Sequence, residues 1–183
     1  LLDDENDRNY FEQQRNILNN KDYVDYPEVM KIKDEYFVKI FSQIWDDTKN
    51  DPDYQSFFDK NKDWLIPYAV FCYLTSKYKT SDFSCWEEYS SYDNDNVTNL
   101  ITRHPETVEI YYFLQYHLDK QLNEVVGFMH DRGIALKGDI PVGVGRFSVE
   151  TWTNPELFNM DSQAGAPPDA FATEGQNWGF PTY

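Results

Sequence analysis

The sequence predicts a mainly α protein: a helical region over residues 1–132, followed over residues 133–183 by one short strand and a long loop. Three observations point there. Apolar residues recur at intervals of three and four through the first 130 or so positions, the spacing of an amphipathic helix. Capping residues and prolines punctuate that pattern where helices should start and stop. From Ile134 the period gives way to a short apolar run and then to a stretch dense in Gly, Pro, Trp, Phe, Asn and Gln.

Taken in order, residues 5–19 place Tyr10, Phe11, Ile17 and Leu18 among polar residues, with acidic side chains near the start, where they favour the helix dipole. In the next helix Asp25 is a cap, Pro27 sits near the first helical position, and Val29, Ile32, Tyr36, Phe37, Ile40, Phe41 and Ile44 form the apolar face. Asn50-Asp-Pro52 breaks the chain and opens a short helix over residues 52–60 carrying Tyr54, Phe57 and Phe58. Asn61 and Asp63 offer caps for a separate helix with Trp64, Leu65, Tyr68, Phe71, Cys72, Leu74 and Tyr78, in which Pro67 falls in the tolerant first turn.

Residues 80–96 have no period and read as a loop with about one helical turn at residues 85–89. Val97, Leu100 and Ile101 suit a short helix stopped by Pro105. The longest helix is expected over residues 106–131, closed by Gly133. Ile134-Ala-Leu-Lys then reads as a strand ending at Asp139. A helix ending in Gly and followed by an apolar strand is half of the alternation that builds α/β barrels and open parallel sheets. One strand makes no sheet, so on this reading the chain is a segment of a larger protein.

Composition excludes several functions. The chain of 183 residues has a net charge of -16, and it has no basic stripe of the kind that neutralises phosphates. Nucleic acid and anionic membrane surfaces are therefore not its expected partners, and no apolar run is long enough to span a bilayer. Aromatic residues make up 17% of the chain, which sets it apart from disordered sequences despite a mean hydropathy of -0.72. The two cysteines, Cys72 and Cys85, are too few for a disulfide framework and are expected to be reduced, as in the cytoplasm.

Candidate site residues gather in the last fifty positions. Asp139 ends the expected strand, where α/β barrels place ligand-contacting side chains, although an aspartate before Pro141 can equally serve a turn. Downstream, Asp169, Phe171, Gln176 and Trp178 alternate carboxylate, aromatic and amide groups among turn residues. Sugars call for that mixture: an aromatic face for the apolar side of a pyranose, and fixed donors and acceptors for its hydroxyls. The same aromatics could instead merely anchor the loop.

Other patterns carry less. His117 and His130 point to nearly opposite sides of one helix, so they share no metal, and no cofactor or metal is expected. Asp93-Asn-Asp95-Asn96 lacks the Gly and Glu of a calcium loop. Gly143-Val-Gly145 begins like a dinucleotide fingerprint but has no third Gly. Glycosyl transfer by the usual route needs two positioned carboxylates, and no identifiable pair is present.

Several motifs nevertheless resemble one family closely. Leu136-Lys-Gly-Asp-Ile-Pro-Val-Gly-Val144, Ser148-Val-Glu-Thr-Trp152, Gly165-Ala-Pro-Pro-Asp-Ala-Phe171 and Gly175-Gln-Asn-Trp-Gly-Phe-Pro-Thr-Tyr183 are similar to the 4-α-glucanotransferases, or amylomaltases. Val24-Asp-Tyr26, Asn61-Lys-Asp-Trp-Leu65 and the stretch Phe113 to Leu122 look like the branch containing the plant cytosolic disproportionating enzyme. The resemblance implies a segment of a (β/α)₈ barrel enzyme: a helical insertion, one barrel strand and a substrate loop. It also implies a retaining transfer of α-1,4-linked glucosyl or maltosyl units from maltose or malto-oligosaccharides to a glucan acceptor.

On that resemblance Asp139 matches an aspartate near the donor glucose. Asp169, Phe171, Gln176 and Trp178 match a loop that closes over the glucan. The family's catalytic carboxylates match no residue of this sequence, so the chain by itself is expected to be inactive. Ala170 stands where many relatives have Tyr, and Gly145, Phe147 and Glu150 also depart from the common pattern. An unpaired strand edge would further allow oligomers. The rival reading is a non-catalytic acidic helical interaction module whose tail orders on a partner.

Overall fold

The computed structural model describes residues 2–183. Six α-helices are found among them: α1 (Glu5–Asn19), α2 (Tyr26–Thr48), α3 (Pro52–Tyr78), α4 (Asn94–Arg103), α5 (Glu106–His130) and α6 (Val149–Thr153). Two short strands follow, β1 (Gly165–Ala166) and β2 (Gln176–Asn177). The chain divides into two compact units, one holding the residues up to Asn61 with Ile110–Lys120, the other Lys62–Glu109 with Gln121–Tyr183.

The first unit is built on aromatic packing. The side chain of Asp4 caps α1 through the N–H groups of Asn6 and Asp7, and that of Asp25 caps α2. The two helices meet where Phe11 stands edge-on to Tyr36 at 5.1 Å, with Lys39 paired to Asp7 at 2.9 Å. The buried rings of Trp45, Tyr54, Phe57, Phe113 and Tyr116 form the core. Edge-to-face contacts predominate there, such as Tyr54 on Tyr116 at 5.4 Å and Phe41 on Phe113 at 5.5 Å. Such pairs contribute beyond their buried area.

The second unit has its own core. Leu65, Ala69, Val70 and Leu74 of α3 are fully buried, together with Trp86, and Val97, Leu100, Val108 and Trp152 are nearly so. The loop that carries Trp86 forms two single 3-10 turns, Phe83–Cys85 and Glu87–Tyr89, instead of the one turn expected. Both buried indoles are satisfied: Trp86 Nε1 donates to the Thr80 carbonyl at 3.0 Å and Trp152 Nε1 to that of Tyr89 at 2.9 Å. Cys72 and Cys85 are both free, and burial pushes the Cys72 thiol pKa up.

Three expectations need correction. The break at Asn61–Asp63 does not occur: α3 runs unbroken for 27 residues and, not α5 with 25, is the longest helix. Asn61 does not cap but bonds back to the Phe57 carbonyl at 2.7 Å, and Pro67 lies deep inside the helix. Burial of apolar residues on both sides of the junction outweighs the caps and the roughly 3 kcal/mol that an interior proline costs.

The second correction concerns the strand. Gly133, at φ +71°, ends α5 in a Schellman turn, with its N–H on the His130 carbonyl and that of Ile134 on Met129. Residues 134–140 beyond it form no ladder, and Ile134, Leu136 and Ile140 are exposed. A strand exists only against another strand, and none among the described residues runs beside this one. Third, the long loop is not irregular throughout, since it contains α6 and the β1–β2 pair.

Candidate functional site: the C-terminal ribbon

The route to the ribbon begins at a capping box. Ser148 Oγ and the Thr151 N–H, and the Ser148 N–H and Thr151 Oγ1, bond reciprocally at the start of α6. This orients the five-residue helix so that Trp152 enters the core, edge-on to Trp86 at 5.7 Å. After Asn154 the chain turns through Pro155–Leu157 and runs out along residues 159–166, then returns along residues 176–183.

Main-chain links along its length make the ribbon. Gly165 pairs with Asn177 and Ala166 with Gln176, and Asn159 bridges Thr182. Between them the Trp178 N–H donates to the Ala164 carbonyl and the Ala164 N–H to that of Phe180, where the register shifts by one residue. The guanidinium of Arg146 donates to the carbonyls of Met160 and Ser162, which pins the base. Any Cβ on Gly165 would run into the carbonyl oxygen of Gln176, so this cross-strand approach requires glycine.

At the tip, Asp169 Oδ1 accepts the N–H groups of Phe171 and Ala172, both at 2.7 Å, and its own N–H donates to the Ala172 carbonyl. These backbone donors, Ala172 foremost, hold the Asp169 carboxyl below its ordinary pKa. The tight turn presents Phe171 to solvent at 99% exposure, while Trp178 is 46% exposed. Trp178 Nε1 donates to Gln176 Oε1 at 2.9 Å, and its ring lies 5.9 Å from that of Phe180. Gln176 and Asp169 are themselves exposed, as are Phe171 and Trp178, so that the ribbon carries an amide donor, a carboxylate acceptor and two aromatic rings on exposed side chains.

Four of the five expected site residues, Asp169, Phe171, Gln176 and Trp178, are therefore carried by one ribbon. Asp139 is exposed in the segment before α6, its Oδ1 accepting the N–H of Ile140 at 2.9 Å. No hydrogen bond among the described residues ties it to the ribbon. The nearest link is Gly143, where the ring of Phe180 lies in the space a Cβ would need. Sequence reasoning missed the positioning residues Arg146, Gly143 and Phe180, whose partners are remote in sequence and leave no local signature.

Fold and site together define a helix-supported, aromatic-tipped ribbon, and no group of three or more His, Cys, Asp or Glu side chains that could hold a metal ion is found among the described residues. The chain belongs to the 4-alpha-glucanotransferase family, whose sequence profile matches residues 3–183. It is 41% identical over 174 residues to the 4-alpha-glucanotransferase DPE2 of Oryza sativa subsp. japonica, covering 93% of this chain and 18% of that protein. A 4-alpha-glucanotransferase of Chlamydia caviae is 32% identical over 162 residues, covering 88% of this chain and 30% of the relative. Among solved structures, the amylomaltase from Streptococcus agalactiae in complex with acarbose superposes with a TM-score of 0.77 at 26% identity, over 87% of this chain and 34% of that one. The chain thus spans less than a third of each of the two sequence relatives. No helix among the described residues is long and apolar enough to cross a membrane.

Proposed function

We propose that this chain supplies the glucan-contacting part of a 4-α-glucanotransferase that moves α-1,4-glucosyl or maltosyl units between malto-oligosaccharides by a retaining mechanism. The observation that carries the reading is the ribbon: two aromatic faces, Phe171 and Trp178, are held open beside an amide and a carboxylate. The acarbose bound to the amylomaltase neighbour supports an oligosaccharide as ligand. In this reading residues 133–183 form the substrate-contacting part on a helical support of residues 1–132. The exposed apolar side chains of Ile134, Leu136 and Ile140 face further strands of a (β/α)₈ barrel, or a neighbour's edge in an oligomer.

In this reading each residue has a role. Phe171 and Trp178 cover the apolar faces of glucose rings, and Gln176 and Asp169 bond their hydroxyls. By covering the glucan the ribbon excludes water, so that a sugar hydroxyl and not water attacks the glycosyl intermediate. Asp139 contacts the donor sugar. The nucleophile and the acid/base are outside these 183 residues, and the site of action is the cytoplasm.

The test has two halves. Isolated chain incubated with maltotriose releases no glucose and forms no maltopentaose. The parent enzyme carrying Phe171→Ala or Trp178→Ala loses transfer to sugar acceptors relative to hydrolysis. Disproportionation by the 183-residue chain alone, or an unchanged transfer ratio in both variants, would overturn the proposal.

A further inference from the structure

The second unit contains a groove of about 460 Å³ that shares no residue with the ribbon. That volume falls within the range of about 300–1,000 Å³ usual for small-molecule sites. Trp64 and Tyr68, one turn apart on α3, form one wall with their rings 6.1 Å apart, and Trp64 is 46% exposed. Glu150 and Asn154 of the α6 segment contribute to the other. Tyr92 also lines it, held edge-on at 5.0 Å against the buried Trp152 and donating its hydroxyl hydrogen to Asn94 at 2.9 Å.

Asp63 and Pro67 of α3 also line the groove. The lining therefore combines an aromatic wall, an amide and two carboxylates, Asp63 and Glu150. Among the described residues, no lysine or arginine lines it. An anion would meet two negative groups without compensation, whereas hydroxyl groups donate to carboxylates in strong charge-assisted hydrogen bonds.

We propose that this groove is a second carbohydrate-binding site, taking a neutral hexopyranoside chain with one ring against Trp64 and its hydroxyls on Glu150 and Asn154. The choice of an α-1,4-glucan as occupant rests on the function proposed above; the recognition of a pyranoside does not. Such a site would hold a long glucan at a second point and raise the local concentration of chain ends at the ribbon.

The experiment is a titration of the 183-residue chain with maltoheptaose, following the five tryptophan indole N–H signals by NMR, each assigned by a Trp→Phe variant. A saturable shift of the Trp64 signal is expected, weakened roughly tenfold by Glu150→Ala, the scale of losing one charge-assisted hydrogen bond. Unchanged Trp86 and Trp152 signals verify that the variant is folded. A silent Trp64 with a moving Trp178 overturns the groove and leaves the ribbon reading intact. A moving Trp64 with a silent Trp178 supports the groove and counts against the ribbon. If neither signal moves at millimolar sugar, or if sorbitol moves Trp64 equally, the groove is not a pyranoside site.

Discussion

The ring of Phe180 occupies the space that a side chain at Gly143 would fill. This contact joins the segment that follows Asp139 to the returning arm of the ribbon, between residues far apart in the chain. It makes Gly143 necessary for a steric reason, since the residue has no positive φ to explain it.

Gly143→Ala is accordingly expected to destabilise the protein by about 1–3 kcal/mol, the usual cost of overpacking. Thermal denaturation followed by circular dichroism measures it. In a Phe180→Ala background the same substitution should lose much of its cost, and strictly additive effects would refute the steric account.

Trp152→Phe should be destabilising beyond its loss of volume, because it leaves the buried Tyr89 carbonyl without the indole donor now at 2.9 Å. Loss of that bond costs about 1–3 kcal/mol, and Trp152→Ala about 3–5 kcal/mol. Urea denaturation of the two variants gives both values, and equal stability of Trp152→Phe and the parent chain would contradict the role of the bond.

Phe171→Ala should leave the melting temperature unchanged, since the ring is 99% exposed and surface changes away from special features stay within about 0.5 kcal/mol. A drop in maltoheptaose affinity with unchanged stability would place the residue in binding; a large fall in stability would mean that the ring anchors the loop.

Asp169 provides a pH test at the same tip. Its folded pKa is lowered by the N–H groups of Ala172 and Phe171, so the turn gains stability above the unfolded carboxylate pKa, about 3.9, and loses it as pH falls through the lower folded value. The amide signals of Phe171 and Ala172 should titrate together with a midpoint below about 3.9, and Asp169→Asn should abolish the titration. A midpoint at or above the ordinary value would rule the turn out.

His117 acts in the same direction at higher pH. It is half-buried against Phe113 at 4.4 Å, and its Nε2 finds no hydrogen-bond partner among the described residues. Burial, and then the charge of Lys120, lower its pKa, so the unfolded chain binds more protons near and below about pH 6.5. Stability should therefore fall as pH drops through that region, and His117→Phe should flatten the dependence between about pH 7 and 5. An equally steep fall in the variant would assign it to other groups.

Much of the helical framework was legible from sequence alone. The bounds of α1, the Asp25 cap of α2, the Pro105 boundary and the Gly133 stop are local events, decided within a turn or two of chain by hydrogen bonds between neighbours. The same locality explains the missed junction in α3: Asn61 and Asp63 have the chemistry of caps, but the buried residues on either side decide whether it is used.

For the candidate site, composition pointed to Asp169, Phe171, Gln176 and Trp178 because glycines, prolines, aromatics and amides cluster in one stretch. What sequence by itself determined was the mainly helical class, the caps and stops, and the types of side chain that the late stretch carries. Tertiary structure alone decided that the late loop is a ribbon, that Arg146, Gly143 and Phe180 hold it, and that Trp64 and Glu150 line one groove. The physical reason is range: caps and periodicity act between near neighbours, whereas ring packing and an arginine on distant carbonyls depend on where the chain returns. The segment ending at Asp139 shows the same limit, since its apolar residues are read locally but a strand requires a partner.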